Sequence, residues 1–131
     1  MDKFIGMTMP KKVRKYRRKI PLDFDCGITI TTEVIGGKWK SCLLDELSRG
    51  PKRPSELHRE FPEASPRVID QKLKEMEAHG LIRKVIYPEL PPRSEYFITD
   101  LGKSLLPVIR AMKKWGENYR PHIEKVLADV S

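Results

Sequence analysis

SPRVIDQKLKEMEAHG, residues 65–80, contains the signals for both ends of one helix. Ser65 is a favourable N-cap, and Pro66 suits the first helical position. Gly80 suits the left-handed conformation that commonly ends a helix. About four helical turns fit between these ends. The stretch therefore predicts one well-delimited helix.

This predicted helix has two different faces when its residues are placed at 100° intervals. The apolar stripe consists of Ile69, Leu73 and Met76. Arg67, Gln71 and Lys74 lie on the opposite side. Arg and Gln side chains pair with guanine and adenine edges, and the early turns of a recognition helix meet the major groove. An ordinary amphipathic surface helix has the same periodicity, so the neighbouring segments must decide.

The segment just before this helix predicts a helix-turn-helix. PSELHREF, residues 54–61, forms a helix of about two turns, with Leu57 and Phe61 facing inward at i and i+4. Residues 62–64 then turn the chain into the Ser65 helix. Two helices joined so closely place the second in the reading position.

The segment just after the Ser65 helix predicts a β-hairpin. Residues 81–87 are rich in β-branched side chains, and residues 95–98 have a similar pattern. The connection, residues 88–94, contains three prolines and is expected to expose Arg93. The order helix, turn, helix, hairpin is that of a winged helix-turn-helix, and a cation on the wing suits phosphate or minor-groove contact.

Two segments precede the helix-turn-helix. Residues 38–49 predict a helix whose inward stripe contains Trp39, Leu43 and Leu47, beside which Cys42 is expected to be buried and inert. Residues 26–35, CGITITTEVI, alternate like a strand but stop at a Gly-Gly pair that equally suits a helix end. Local propensity therefore does not decide whether residues 26–35 form a strand or a helix.

The C-terminal quarter is more apolar than one small core can cover. Thr99 is expected to cap a helix that Pro107 bends, and Pro121 is expected to open a last helix. A second subunit is the natural cover, although both helices folding back on their own domain is the alternative. The predicted dimer interface comprises Leu105, Ile109, Met112, Trp115, Tyr119, Ile123 and Leu127.

Composition favours a polyanionic partner. The 131 residues contain 26 Lys and Arg against 18 Asp and Glu, a net charge of +8. Residues 1–25 hold eight of these cations and three of the acids, so this N-terminal arm alone carries +5. The predicted basic arm comprises Lys11, Lys12, Arg14, Lys15, Arg17, Arg18 and Lys19. Such an arm either follows DNA phosphates or is a solvated, flexible tail.

Several classes of function are not expected. No apolar run approaches the roughly 18 residues that span a bilayer, and the N-terminus lacks a secretion signal, so we expect a cytoplasmic protein with no membrane partner. Two cysteines and three scattered histidines make no metal-ligand spacing. No nucleophile, base and orienting group can be assembled either. We therefore expect no metal, no cofactor and no enzyme.

Residues 26–119 resemble the HxlR-type group of bacterial winged-helix transcription factors, which are relatives of the MarR regulators. The matching elements are Cys26, IGGKW at 35–39, PSEL at 54–57, SPRVIDQKLKEME at 65–77, GLI at 80–82, YPELPPRSEY at 87–96 and TDLGKSLLPVI at 99–109. The resemblance implies a mainly α fold with a small β-hairpin (α+β), a winged helix-turn-helix with terminal dimerisation helices. It also implies that residues 26–35 are helical, against local propensity.

The same resemblance makes Cys26 a candidate sensor, because some members of the family respond to oxidants or electrophiles through a cysteine at this position. A thiol at a helix N-terminus near cations has its thiolate favoured. Gly27 stands where the family usually has proline. The alternative is that Cys26 is simply a small residue at a helix start.

Together these features predict a homodimeric, sequence-specific regulator of transcription on a pseudo-palindromic operator in double-stranded DNA. Base reading is assigned to Arg67, Gln71 and Lys74, and backbone or wing contact to Ser65, Lys72 and Arg93. The predicted domains are residues 1–25 as the arm, 26–119 as the DNA-binding domain and 120–131 as a dimerisation helix. The alternatives are a winged-helix protein-interaction module and a nonspecific architectural DNA-binding protein.

Overall fold

The computed structural model describes residues 23–130, in which six helices surround one two-stranded antiparallel sheet. In chain order the elements are α1 (Gly27–Ile35), α2 (Lys40–Leu47), α3 (Pro54–Glu60), α4 (Pro66–Ala78), β1 (Ile82–Tyr87), β2 (Arg93–Ile98), α5 (Asp100–Ser104) and α6 (Leu106–Val130). This confirms the mainly α class and the order helix, turn, helix, hairpin. The basic arm predicted at residues 11–19 lies outside the described residues.

The first helix, α1, lies in the segment for which local propensity did not decide between strand and helix. Its first turn begins with a hydrogen bond from the Ile30 N–H to the Cys26 carbonyl at 3.1 Å. The Thr31 hydroxyl donates to the Gly27 carbonyl at 2.9 Å, so this β-branched residue is accommodated within the helix. Burial of Ile35 in the core attaches the other end of α1 to the fold. The expectation of a helix is confirmed, because tertiary packing outweighs the alternating pattern.

A single hydrophobic core joins the helix-turn-helix to the base of the hairpin. Its largest fully buried side chains are Leu43, Leu44, Leu47, Leu57, Ile69, Leu73, Met76, Leu81 and Ile82. Burying one such side chain stabilises the fold by about 1.5–3 kcal/mol relative to leaving it exposed. Cys42, beside the buried stripe of α2, is exposed, so the prediction that its thiol is buried is wrong. The reason is that Leu43 and Leu44 take the inward positions and turn Cys42 to the surface.

The hairpin is fixed both within itself and to the helices. Ile82 lies opposite Ile98 and Tyr87 opposite Arg93, so the second strand begins two residues earlier than the sequence predicts. A short bridge adds Lys52 beside Tyr96, with backbone hydrogen bonds of 3.2 and 2.8 Å in the two directions. These bonds hold the loop before α3 against the wing.

Thr99 caps the following helix as predicted. Its hydroxyl oxygen accepts the Gly102 N–H at 3.1 Å and its hydroxyl donates to the Gly80 carbonyl at 2.6 Å. Gly102 is needed here because a β-carbon would collide with the carbonyl oxygen of Leu81. This contact fixes α5 against the segment that follows the α4 helix.

The break between the last two helices lies at Leu105, not at Pro121 as predicted. Pro107 is the second residue of α6, where its missing N–H has no helical partner to lose. Pro121 lies inside this 25-residue helix on an exposed stretch, where water can satisfy the freed carbonyl. The proposed division at residues 119 and 120 falls within α6 and stays a prediction. Nowhere in residues 23–130 is a helix both long and apolar enough to cross a membrane.

Candidate DNA-binding surface

The α4 helix has the two ends that its sequence predicts. The Ser65 side chain accepts the Val68 N–H at 3.2 Å, and Pro66 occupies the first helical position. Beyond the other end, Gly80 has a φ of +79°, a left-handed conformation that costs glycine little. The stripe Ile69, Leu73 and Met76 has no exposed surface. The inward face of α4 is therefore completely buried in the core.

The opposite face of α4 is open to solvent. Arg67, Gln71 and Lys74 are all exposed. Within residues 23–130, neither Arg67 nor Lys74 makes an ion pair. The structure thus brings the three predicted base-reading residues together on one exposed surface.

The other two predicted backbone contacts on this helix differ in availability. The Ser65 oxygen already caps α4, and its hydroxyl proton remains free to donate. The Lys72 ammonium lies 3.8 Å from Glu75 on the same helix, and its side chain is half-buried. A phosphate approaching Lys72 would have to compete with this carboxylate.

The helix preceding the turn, α3, is held by one polar contact with α4 and by apolar contacts within the core that both helices share. His58 Nε2 of α3 lies 2.7 Å from Asp70 Oδ1 of α4. Leu57 of α3 is fully buried, and Phe61, which follows α3, packs edge-on against Trp39 with ring centroids 6.1 Å apart. These contacts give the two helices the fixed relation that a helix-turn-helix requires.

The structure corrects the prediction that Arg93 is an exposed wing cation. Its guanidinium lies 4.0 Å from the centroid of the Tyr87 ring and 3.1 and 3.2 Å from carboxylate oxygens of Glu89 and Glu95. The hydrogen bond from Arg93 lowers the pKa of the Glu89 carboxyl below its ordinary value. Arg93 therefore binds two carboxylates at the connection between β1 and β2 and does not present a free charge.

Two cations that the sequence analysis did not single out are exposed on the wing. Arg83 lies over the Phe97 ring at 5.5 Å, and Lys84 lies over the Tyr96 ring at 5.8 Å. Their position in IRKVIY, inside an otherwise apolar strand, was the available signal. Arg83 and Lys84 are thus the exposed cations of the wing, whereas Arg93 pairs with two carboxylates.

The candidate sensor Cys26 is the N-cap residue of α1 and is partly exposed. Its pKa is lowered chiefly by a hydrogen bond with the Thr29 side chain and further by the backbone N–H groups of Thr29 and Ile28. A lowered pKa increases the thiolate fraction, which is the reactive form. In residues 23–130 no set of three acidic, cysteine or histidine side chains could hold a metal ion.

The predicted dimer face divides into two parts. Ile109 is 4% exposed and belongs to the core, so its prediction as an interface residue is wrong: the chain's own helices cover it. Leu105 also packs against that core. The remaining predicted interface residues are exposed on α6: Met112, Trp115, Tyr119, Ile123 and Leu127.

An apolar groove continues this face toward the N-terminus. It has a volume of about 470 Å³ and lies between α1 and α6, with Ile28, Ile35, Val108 and Met112 among its lining residues. Along α6 the rings of Trp115 and Tyr119 lie 5.0 Å apart. Exposed apolar surface thus extends from α1 along most of α6.

Comparison with known proteins gives consistent matches. The model of the HxlR-like helix-turn-helix family matches residues 34–124. An uncharacterised HTH-type transcriptional regulator of Bacillus subtilis (strain 168), YkvN, is 46% identical over 96 residues, which are 73% of this chain and 81% of YkvN.

Two solved structures are similar over most of the described chain. The redox regulator HypR in its reduced form has a TM-score of 0.73 and 37% identity, covering 76% of this chain and 99% of HypR. A structure from Enterococcus faecalis V583, assigned to the MarR family of transcriptional regulators, has a TM-score of 0.66 and 37% identity, covering 79% and 94% of the two chains.

Proposed function

This chain belongs to the HxlR-like helix-turn-helix family, whose relatives are transcriptional regulators and not enzymes, and we propose that it regulates transcription as a homodimer on a pseudo-palindromic DNA operator. The exposed face of α4 carries this proposal. Its Arg67, Gln71 and Lys74 side chains are exposed beside one another, and Arg and Gln have the geometry to pair with guanine and adenine edges. A regulator of this kind works in the compartment that holds the DNA, so the cytoplasm is part of the proposal.

The second part of the proposal is the dimer. Trp115 and Leu127 are 58% and 60% exposed on α6, although large apolar side chains are normally covered in a stable assembly. A second copy packed on α6 and on the groove beside α1 would bury this surface. Twofold symmetry would then place two α4 helices in successive major grooves, about 34 Å apart.

Contacts with the sugar-phosphate backbone are assigned to residues around α4 and on the wing. Ser65 and Lys72 flank the reading face, and Arg83 and Lys84 supply the wing cations. The cations of residues 11–19 would add attraction that does not depend on sequence. These contacts position the protein, whereas the α4 face selects the sequence.

Replacing Gln71 by alanine tests base reading most directly. Gln71→Ala should weaken binding to the preferred operator by about 1–3 kcal/mol and leave binding to random DNA almost unchanged, because only the operator offers the matching base edge. The operator is first selected from a random duplex pool, and both affinities are measured at one salt concentration.

The same measurement separates the alternatives. Equal losses on operator and random DNA would remove Gln71 from the base-reading set. A wild-type protein that prefers no sequence would be an architectural DNA-binding protein, and one that binds no duplex would be an interaction module. Either result would contradict the proposed function.

We extend the proposal to a redox or electrophile response through Cys26. Its partial exposure and lowered pKa support this role, and HypR is a redox regulator by name. A small oxidant should change operator affinity in the wild type but not in Cys26→Ser. Cys42→Ser is the matched control, since Cys42 is an exposed thiol on α2. An identical response of wild type and Cys26→Ser would contradict the sensor role.

A further inference from the structure

Among the charged residues that the structure describes, only Lys40 is buried, with 7% of its surface exposed. Its ammonium nitrogen lies 2.9 Å from the Oε1 atom of Glu75, on the reading helix. The same oxygen lies 3.8 Å from Lys72. Lys40 therefore reaches α4 from α2, beneath the surface that is proposed to meet DNA.

Local energetics disfavour a lysine at this position. Lys40 is the first residue of α2, and a cation at a helix N-terminus opposes the helix dipole. Burial of its charge also has a desolvation cost that an ion pair often fails to offset. Stability of the fold is thus a poor explanation for Lys40. What the pair does supply is a directional contact with α4.

A directional contact adds a constraint on the rotation of α4 to the one that its apolar seam supplies. Hydrophobic contacts are non-directional, so Ile69, Leu73 and Met76 determine which face is buried more firmly than they determine its angle. At 100° per residue, Asp70 lies about 90° to one side of this seam and Glu75 about 130° to the other. Each has a partner on a different helix, His58 of α3 and Lys40 of α2.

We propose that Lys40 is a positioning residue for DNA sequence recognition, which through Glu75 fixes the rotation of α4 and the direction of its base-reading side chains. Glu75 is four residues after Gln71 and directly follows Lys74, so a rotation that displaced it would displace both. Together with Lys72, Lys40 also compensates the Glu75 carboxylate, which in the proposed complex would lie close to DNA phosphates. The inference rests on the proposed function, since it concerns the reading of bases.

The test compares two lysine variants that lose the same charge. Lys40→Met removes the contact with α4, and the partly exposed Glu75 can then turn to Lys72. Lys52→Met is the matched control, because Lys52 pairs at 3.5 Å with Glu46 of α2 and not with the reading helix. Affinities for the selected operator and for a random duplex are measured at one salt concentration. Amide hydrogen exchange of residues 70–78 is measured without DNA.

Lys40→Met should reduce the ratio of operator to random affinity by about five- to tenfold, whereas Lys52→Met should lower both affinities alike and leave the ratio unchanged. Exchange in α4 should be faster only in Lys40→Met. An unchanged ratio in a folded Lys40→Met protein would overturn the inference. If wild type prefers no sequence, the proposed function fails, and unchanged exchange in α4 would then overturn the positioning role separately.

A double variant protects the test against misfolding of the single one. In Lys40→Met with Glu75→Met both charges are replaced by apolar groups of similar length, which folded proteins commonly tolerate. The double variant should remain folded and still show the reduced ratio. A wild-type ratio in the double variant would overturn the role of the pair.

Discussion

The α4 and α6 helices contain similar kinds of apolar side chains, but only α4 has all of them covered. In α4 the stripe Ile69, Leu73 and Met76 is fully buried by the chain itself. In α6, Ile109 is buried near the start, while large apolar residues from Val108 to Leu127 are exposed. Helix periodicity alone would describe both as amphipathic. The chain therefore covers the apolar stripe of α4 by itself and leaves most of the apolar face of α6 open.

The two amphipathic helices differ in which face is left open: the polar face in α4 and the apolar face in α6. In the proposed function, the exposed polar face of α4 meets a polar and anionic partner. The uncovered apolar face of α6 meets an apolar one. Variants in the two helices should therefore affect different properties.

The largest expected effect is on the covered helix. Leu73→Ala should lower the free energy of unfolding by about 2–5 kcal/mol, because it leaves a cavity in a closely packed core. Chemical denaturation monitored by circular dichroism measures this loss. Leu127→Ala makes the same chemical change on α6, where the side chain is 60% exposed.

The Leu127→Ala control should cost stability only at protein concentrations at which dimers form, since in the proposed dimer its side chain packs against a second subunit. The cost of Leu73→Ala should persist under monomeric conditions. Equal, concentration-independent losses in the two variants would remove the distinction between α4 and α6.

The next largest effect is expected on assembly. Trp115→Ala should weaken dimerisation by about 2–4 kcal/mol, because buried tryptophans are frequent hot spots of protein interfaces. Trp115 is exposed beside Tyr119 in the present chain. Sedimentation equilibrium measures the dissociation constant. Glu117→Ala is the control and should leave the constant unchanged, because Glu117 is separated from Trp115 by about 160° around the helix. A Trp115→Ala protein that dimerises like wild type would contradict the proposed interface.

The smallest expected effect concerns the wing, where charged side chains and not an apolar face hold the connection between β1 and β2. Arg93 holds the pKa of Glu89 below its ordinary value, so Glu89 contributes stability above the ordinary glutamate pKa. This contribution is lost as pH falls through the lowered pKa. The ring resonances of Tyr87, which Arg93 covers, should shift in that acid range and shift less in Glu89→Gln. Identical titrations in both proteins would contradict the role of Glu89.

The sequence was sufficient where the signals are local. Both ends of α4, the buried stripe between them and the Thr99 cap depend on residues within one or two turns, and all are confirmed. The hairpin was predicted as well, although its second strand begins at Arg93. Short-range chemistry explains these successes.

The predictions that failed depend on contacts between distant segments. Arg93 was predicted to be a free cation, because its ion pairs with Glu89 and Glu95 form only in the folded wing. Pro121 was predicted to begin a helix, because the sequence does not show that residues 106–130 form one continuous helix. Lys40 has no sequence signal at all, because Glu75 lies 35 residues further along the chain. Tertiary structure decides each of these cases.

A footprint of the wild-type protein on its selected operator is the decisive test of the proposal that two outward-facing α4 helices meet successive major grooves. Hydroxyl-radical and guanine-methylation protection should show two half-sites related by a twofold axis and centred about 10 base pairs apart. Protection of a single groove, or uniform protection along the duplex, would contradict it.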